Sequence, residues 1–162
     1  MIKFKNLVFA IVSIAVISAL SCGGGGGGGG DDPVPLTPEE QRLLDLGGSS
    51  GVTWVATSIT QDGAPTDGLE NFSITLRGTE TSKTYNSTDA SPFLSSSGTW
   101  DFNNDNISQL VFDGDSDNVY VISELNTTST PATVKLTVNY TNPQGGVPAG
   151  QNGTYVFSLQ AQ

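Results

Sequence analysis

The sequence predicts an all-β fold of about eight short antiparallel strands, preceded by one short helix. Three observations carry this. From residue 51 onward apolar residues recur with a period of two. Clusters of turn-forming residues, "QDGAPTDG", "NNDN", "DGDSDN" and "NPQGG", separate the apolar runs. No apolar repeat of helical period follows residue 46. Many short strands with no long helix between them form either an up-and-down barrel or a β-sandwich.

The strands read as "VTWVATSIT" (52–60), "NFSITLR" (71–77), "SKTYN" (82–86), "GTWDFN" (98–103), "SQLVFD" (108–113), "NVYVISEL" (118–125), "ATVKLTVNY" (132–140) and "GTYVFSLQ" (153–160). Phe72, Ile74 and Leu76 share one face, with Ser73 and Thr75 on the other. Val134, Leu136, Val138 and Tyr140 oppose Lys135, Thr137 and Asn139, and Tyr155, Phe157 and Leu159 oppose Ser158 and Gln160. One face of the sheet is therefore expected to line an apolar interior and the other to meet water. Ahead of the strands, "PVPLTPEEQRLLDLGG" reads as the end of a linker and a short helix. Thr37 is placed to cap it, Pro38 sits at its first position, and Glu39 and Glu40 complement its positive end. Leu43, Leu44 and Leu46 give it an apolar face, and Gly47 or Gly48 ends it. A helix this short needs the sheet, or one end of a barrel, to pack against.

Composition narrows the chemistry. The 162 residues contain 16 acidic and 6 basic side chains, one cysteine and no histidine. A nucleic-acid partner is not expected, because phosphate binding needs clustered Lys and Arg. A structural zinc site needs four Cys or His ligands, which the chain lacks. Without histidine the usual general base near neutral pH is missing, and Ser95–Ser97 have no partner to activate them. A non-catalytic protein, monomeric in solution, is the expectation.

The amino-terminal stretch "MIKFKNLVFAIVSIAVISALSC" has the layout of a secretory signal: Lys3 and Lys5, an apolar run over 7–20, then small residues before Cys22. "ALSC" (19–22) resembles the lipobox of bacterial lipoproteins. That resemblance implies removal of residues 1–21 and lipidation of Cys22, with the membrane as partner and the outer membrane or cell surface of a Gram-negative envelope as location. Residue Gly23 after the cysteine, by the same resemblance, favours the outer membrane. Residues 22–36 then form a tether, since Gly23–Gly30 carry no side chains to pack and Asp31 and Asp32 keep it solvated. The domain proper would cover 37–162.

The order of elements also resembles the lipocalin-like domains of small Gram-negative lipoproteins. "GVTWVATSITQDG", "FSITL", "SSSGTWDF" and "LVFDGDSDNVYVI" carry the likeness, with Gly51 three residues before Trp54. The resemblance implies a closed barrel on a lipid anchor.

Two constellations are candidates for binding. Trp54 and Trp100, with Tyr85 or Tyr120 nearby, would give a stacking platform for a small apolar or saccharide ligand; buried core aromatics are the alternative. Asp113, Asp115 and Asp117 hold positions 1, 3 and 5 of a calcium-loop pattern, with Glu124 at position 12. Apolar strands flank that loop and carry Glu124 away, so at most weak Ca²⁺ binding by the three aspartates is expected, and a solvated hairpin is the alternative. Function divides accordingly between a binding module for a small ligand and a structural or interaction protein with a solid barrel.

Overall fold

The computed structural model describes residues 34–141 and 152–162. The signal segment, Cys22 and the tether up to residue 33 lie outside the described residues, as does 142–151. Helix α1 (Pro38–Leu46) is followed by β1 (Val52–Gln61), β2 (Ala64–Pro65), β3 (Ser73–Thr79), β4 (Ser82–Thr88), β5 (Ser97–Asn103), β6 (Asn106–Phe112), β7 (Tyr120–Asn126), β8 (Thr133–Tyr140) and β9 (Gly153–Ala161).

Each of β3 to β9 pairs with the strand that precedes it around the sheet, and β9 pairs back onto β1 from Trp54–Ala161 to Gln61–Tyr155, all antiparallel. This closure decides for the up-and-down barrel against the sandwich: β1 and β3–β9 form a closed eight-stranded barrel. β2 is a two-residue addition. It pairs with the end of β1 through the two-residue Asp62-Gly63 turn, both residues at positive φ. Asn104 and Asp105, also at positive φ, make the β5–β6 turn in the same way.

Two bulges set which side chains enter the barrel. Along β1 the register against β9 shifts between Ala56 and Ser58. Without that extra residue Trp54 and Ile59 would point to opposite faces; with it both are buried. The shift between Ile122 and Glu124 on β7 does the same for Ile122 and Leu125, both of which meet the core. The interior is filled by Trp54, Ile74, Leu76, Tyr85, Trp100, Phe102, Leu110, Phe112, Tyr120, Leu136, Val138, Tyr140, Tyr155, Phe157 and Leu159, among others. Eight strands leave room for little beyond such side chains.

Helix α1 seals one end. Thr37 and Glu40 form a reciprocal capping box, with Glu40 N donating to Thr37 Oγ1 at 3.2 Å and Thr37 N to Glu40 Oε2 at 2.6 Å. Leu43 and Leu46 are buried against the barrel, whereas Leu44 stays exposed. The Trp54 indole donates to the Leu46 carbonyl at 2.8 Å, and Gly78 N donates to Gly48 O at 2.8 Å. Gly47 must lack a side chain, because a Cβ there would overlap the Leu76 carbonyl oxygen. Lys83, its side chain 10% exposed, reaches Glu39 of the helix at 3.7 Å and Asp101 of β5 at 3.0 Å, over the Phe102 ring.

All four tyrosines, Tyr85, Tyr120, Tyr140 and Tyr155, are buried. Desolvation is the largest cause raising each phenol above its ordinary value; Asp113 adds to it at Tyr85, and Tyr140 and Asp115 add to it at Tyr120. The unfolded chain releases these protons near the ordinary value, about 10. The protonated phenols therefore stabilise the fold fully below about pH 10, and this stabilisation is lost as the pH rises above that point. In an alkaline titration the phenolate absorbance should not rise around pH 10, but only together with loss of the β-sheet circular dichroism. A normal, reversible titration of even one tyrosine in the folded protein would contradict this burial.

Candidate functional site at the far mouth

The barrel end opposite α1 is built from the β1–β2 turn, the 66–72 connection, the β4–β5 loop (89–96) and the β6–β7 loop (113–119). The β4–β5 loop folds inward. Ala90 is buried, and Phe93 packs against Tyr155, Tyr140 and Phe157 with ring centroids 4.6, 4.7 and 5.4 Å away. The contacts are edge-to-face, the arrangement aromatic pairs favour. Tyr140 OH donates to Pro92 O at 2.9 Å, and Tyr120 OH reaches Phe93 O at 3.5 Å. Nothing in the period-two reading marked Phe93, which stands in the loop "DASPFLSSS". Its only local signal was the pair of large apolar side chains, Phe93 and Leu94, in a loop otherwise made of small or polar residues.

Beside this plug lies a pocket of about 430 Å³, lined by Gln61, Pro65, Asp67, Leu69, Phe93 and Tyr155 among others. Phe93 and Tyr155 give it two aromatic walls, and Gln61, Thr66, Asp67 and Ser91 supply polar ones. A pocket of about 450 Å³ lies where β4 and β5 diverge, beside Lys83, Trp100 and Asp101, and one of about 440 Å³ lies between α1 and the β3–β4 turn.

The tryptophans sit elsewhere. Trp54 and Trp100 are 1% and 3% exposed, and the Trp100 indole donates to Arg77 O at 3.0 Å. Both rings belong to the helix-side half of the core, with their N–H groups already bonded. They present no stacking face to solvent, which corrects the expected platform. Tyr85 and Tyr120 are likewise core residues.

The three aspartates are brought to one loop but given separate tasks. Asp113, in the left-handed region at φ 53°, points back over Gly98. Its Oδ1 accepts from Thr99 N at 2.9 Å and its Oδ2 from Tyr85 OH at 2.6 Å. Asp115 accepts from Asp117 N at 3.0 Å and from the Asn118 amide at 2.8 Å. Asn118, buried, is tied further to both backbone groups of Thr141. Glu124 lies along β7 and pairs with Lys135. Among the described residues no group of three or more His, Cys, Asp or Glu is placed to hold a metal ion. The 1, 3, 5 spacing instead serves a loop in which Asp113 staples β4, β5 and β6 together. Gly98 makes this work, since a Cβ there would overlap the Asp113 carboxylate.

Charge is divided between the two ends. Arg42, Arg77, Lys83 and Lys135 lie on α1 or in the helix-side half of the barrel, while Asp62, Asp67, Glu70, Asp89, Asp113, Asp115 and Asp117 lie around the far mouth with no basic residue among them. The field there repels anions and favours neutral or cationic solutes.

Asp113→Ala should remove the acceptor of two hydrogen bonds and destabilise the domain by about 1–3 kcal/mol, whereas Asp117→Ala should change stability by less than about 0.5 kcal/mol. Urea denaturation of the two variants checks this. Equal effects would mean that the staple contributes nothing.

Residues 51–130, which run from just before β1 to beyond β7, match the family model of the lipocalin-like domain. No curated protein and no solved structure matches the chain. The matched segment and the closed barrel agree: the fold is a lipocalin-like up-and-down barrel, completed by β8 and β9 beyond the match.

Proposed function

We propose that the chain is a lipid-anchored cell-envelope protein whose barrel is a non-catalytic binding module for a small ligand, taken at the far mouth rather than in a deep calyx. The observation that carries the binding reading is the aromatic mouth itself. Phe93, Tyr140, Tyr155 and Phe157 gather at one end of a lipocalin-like barrel, next to an open pocket. Such barrels are generally binding folds, and an eight-stranded one holds at most a small ligand. The filled interior argues against a long lipid chain threaded along the barrel axis. The acidic rim disfavours fatty acids and other anions, so a small uncharged apolar compound or saccharide fits best.

The anchor rests on the sequence. The lipobox-like "ALSC" supports a thioether lipid on Cys22, followed by a glycine tether to a domain beginning near residue 37, at the outer membrane of a Gram-negative envelope. The second reading, a structural or interaction protein with a solid barrel, is favoured by one specific observation: both barrel ends are stoppered, one by Leu43 and Leu46 and the other by Phe93. A panel of saccharides, sterols and uncharged aromatics, screened by thermal shift, separates the two. Stabilisation by at least one class supports the binding module, and none from any class supports the solid barrel.

Expressed as the mature chain, residues 22–162, the Cys22→Ser variant should stay in the soluble fraction, because lipid on that residue is the proposed attachment and residues 1–21 are absent. Mass spectrometry of the membrane-bound wild type should show a diacylglyceryl adduct on Cys22. An unmodified thiol with residues 1–21 still attached would overturn the anchor.

A further inference from the structure

The β4–β5 loop presents an unusual combination to the barrel. It is not a strand, yet it delivers a flat apolar ring into the mouth and sets two carbonyl oxygens, of Pro92 and Phe93, over two buried phenols. The loop is internally bonded, with Phe93 N and Leu94 N both donating to Ala90 O at 2.8 and 3.1 Å. It can therefore move as a unit. Its ties to the barrel are the two tyrosine hydroxyls, an interaction of Tyr85 with Ser95, and Ser87, whose Oγ donates to Ser95 O at 2.6 Å and whose N donates to Ser96 O at 2.9 Å, together with the packing of Ala90 and Leu94 on the core. At its start Asp89 sits in the left-handed region, at φ 47°. A core that needed only to be filled would have taken the ring from a strand. A ring with two acceptor oxygens, held over Tyr120 and Tyr140, has instead the outline of a small ligand.

We propose that the 89–96 loop is an internal plug, in which Phe93 occupies the site that a flat, uncharged ring bearing a carbonyl-type oxygen takes when the loop swings out. This rests on the binding-module reading and gives it a substrate class. In the opened state the Phe93 ring leaves the edges of Tyr140, Tyr155 and Phe157 free for the incoming ring. The Tyr120 and Tyr140 hydroxyls, released from the loop carbonyls, donate to its oxygen. The seven acids around the mouth bar the anionic relatives of such a compound. Because the plug competes with the ligand, the apparent dissociation constant is the intrinsic one divided by the fraction of open molecules. Loosening the plug therefore tightens binding.

The test uses the mature chain, residues 22–162, carrying Cys22→Ser, free of detergent, and two fluorescent probes. One is an uncharged dimethylaminonaphthyl ketone, and the other is an anilinonaphthalene sulfonate. The ketone should bind the Phe93→Ala variant at least about tenfold more tightly than it binds the plugged parent, which keeps Phe93. It should also bind Ser87→Ala several-fold more tightly, since that change removes the Oγ tie to Ser95 O, loosens one end of the loop and leaves the ring's site intact. The sulfonate should gain in neither. In the parent chain, saturation with the ketone should speed hydrogen exchange at the amides of 90–94. Tighter binding to Phe93→Ala alone, with Ser87→Ala and the exchange unchanged, would reveal a void made by the mutation and sink the plug. Equal binding by all three chains with no response at 90–94 would keep the binding module and discard the plug. No binding by any of them, all folded by near-ultraviolet circular dichroism, would discard the plug and its ring-bearing ligand class, while the thermal-shift panel decides the binding module.

Discussion

The pairing of β1 with β9 is the constraint on which the rest of the structure depends. It removes the two sheet edges that an open meander would leave, and it fixes the strand count at eight. Eight strands fix the width, and the width leaves an interior that one layer of aromatic and aliphatic side chains fills. The pairing also dictates the irregularities. β1 runs beside β9 along its whole length, but on its other side β3 accompanies it only as far as Val55 and β2 takes over at Thr60. The bulge near Thr57 lies between those two partners. It turns Ile59 inward where strict alternation would expose it.

A closed barrel has no edges but two ends, and this chain seals each with a different chemistry. At the helix end the seal is knitted into the backbone. The Leu46 and Gly48 carbonyls accept from Trp54 and Gly78, Gly47 lies flat against the Leu76 carbonyl, and Lys83 bridges α1 to β5. Partly buried ion pairs and side-chain-to-backbone bonds of this kind must break together if the helix is to leave. At the far mouth the seal is a loop that packs Ala90, Phe93 and Leu94 on the core and is held by three side-chain hydroxyls and one backbone amide reaching its carbonyls. Such a loop opens at lower cost than the barrel unfolds, and regions of low local stability are where binding surfaces are drawn from.

What the sequence made legible follows from the range of each interaction. All eight barrel strands and α1 were readable, because period-two alternation and capping residues are local signals. Phe72, Ile74 and Leu76 show this on β3, and Thr37 and Pro38 show it on α1. The choice between barrel and sandwich was not readable from periodicity, since it turns on contact between residues about a hundred positions apart; the resemblance of the element order to lipocalin-like domains supplied it. The bulge had a faint trace: Trp54 and Ile59 are both large and apolar but of opposite parity. Asp113 was misleading for a physical reason. An Asp-x-Asp-x-Asp run looks the same whether the carboxylates converge on an ion or turn back on neighbouring strands. What decided it was Gly98, fifteen residues away, whose missing side chain makes the space. The tryptophans were ambiguous in the same way, since aromatic rings on strands serve core and ligand alike. Phe93 escaped altogether, because a loop residue's burial is set by the strands it falls onto and not by its neighbours in sequence.

The asymmetry between the ends bears on how such a domain would be held. Cys22 precedes α1 in the chain, so under the proposed lipid anchor the rigid, ion-paired end would be the end by which the chain is attached. The far mouth is then the end free to meet solutes. All four basic residues of the domain lie away from it, and half of its acids lie around it. On a tethered protein this arrangement does two things at once. Repulsion between the acidic mouth and anionic headgroups turns the mouth away from a membrane surface within the Debye length of about 8 Å. The same field screens out anionic amphiphiles shed from that membrane, which would otherwise compete for an aromatic site. For an anchored domain, orientation and selectivity would then both follow from one charge distribution along one barrel axis, with the aromatic plug at the end that this distribution leaves accessible.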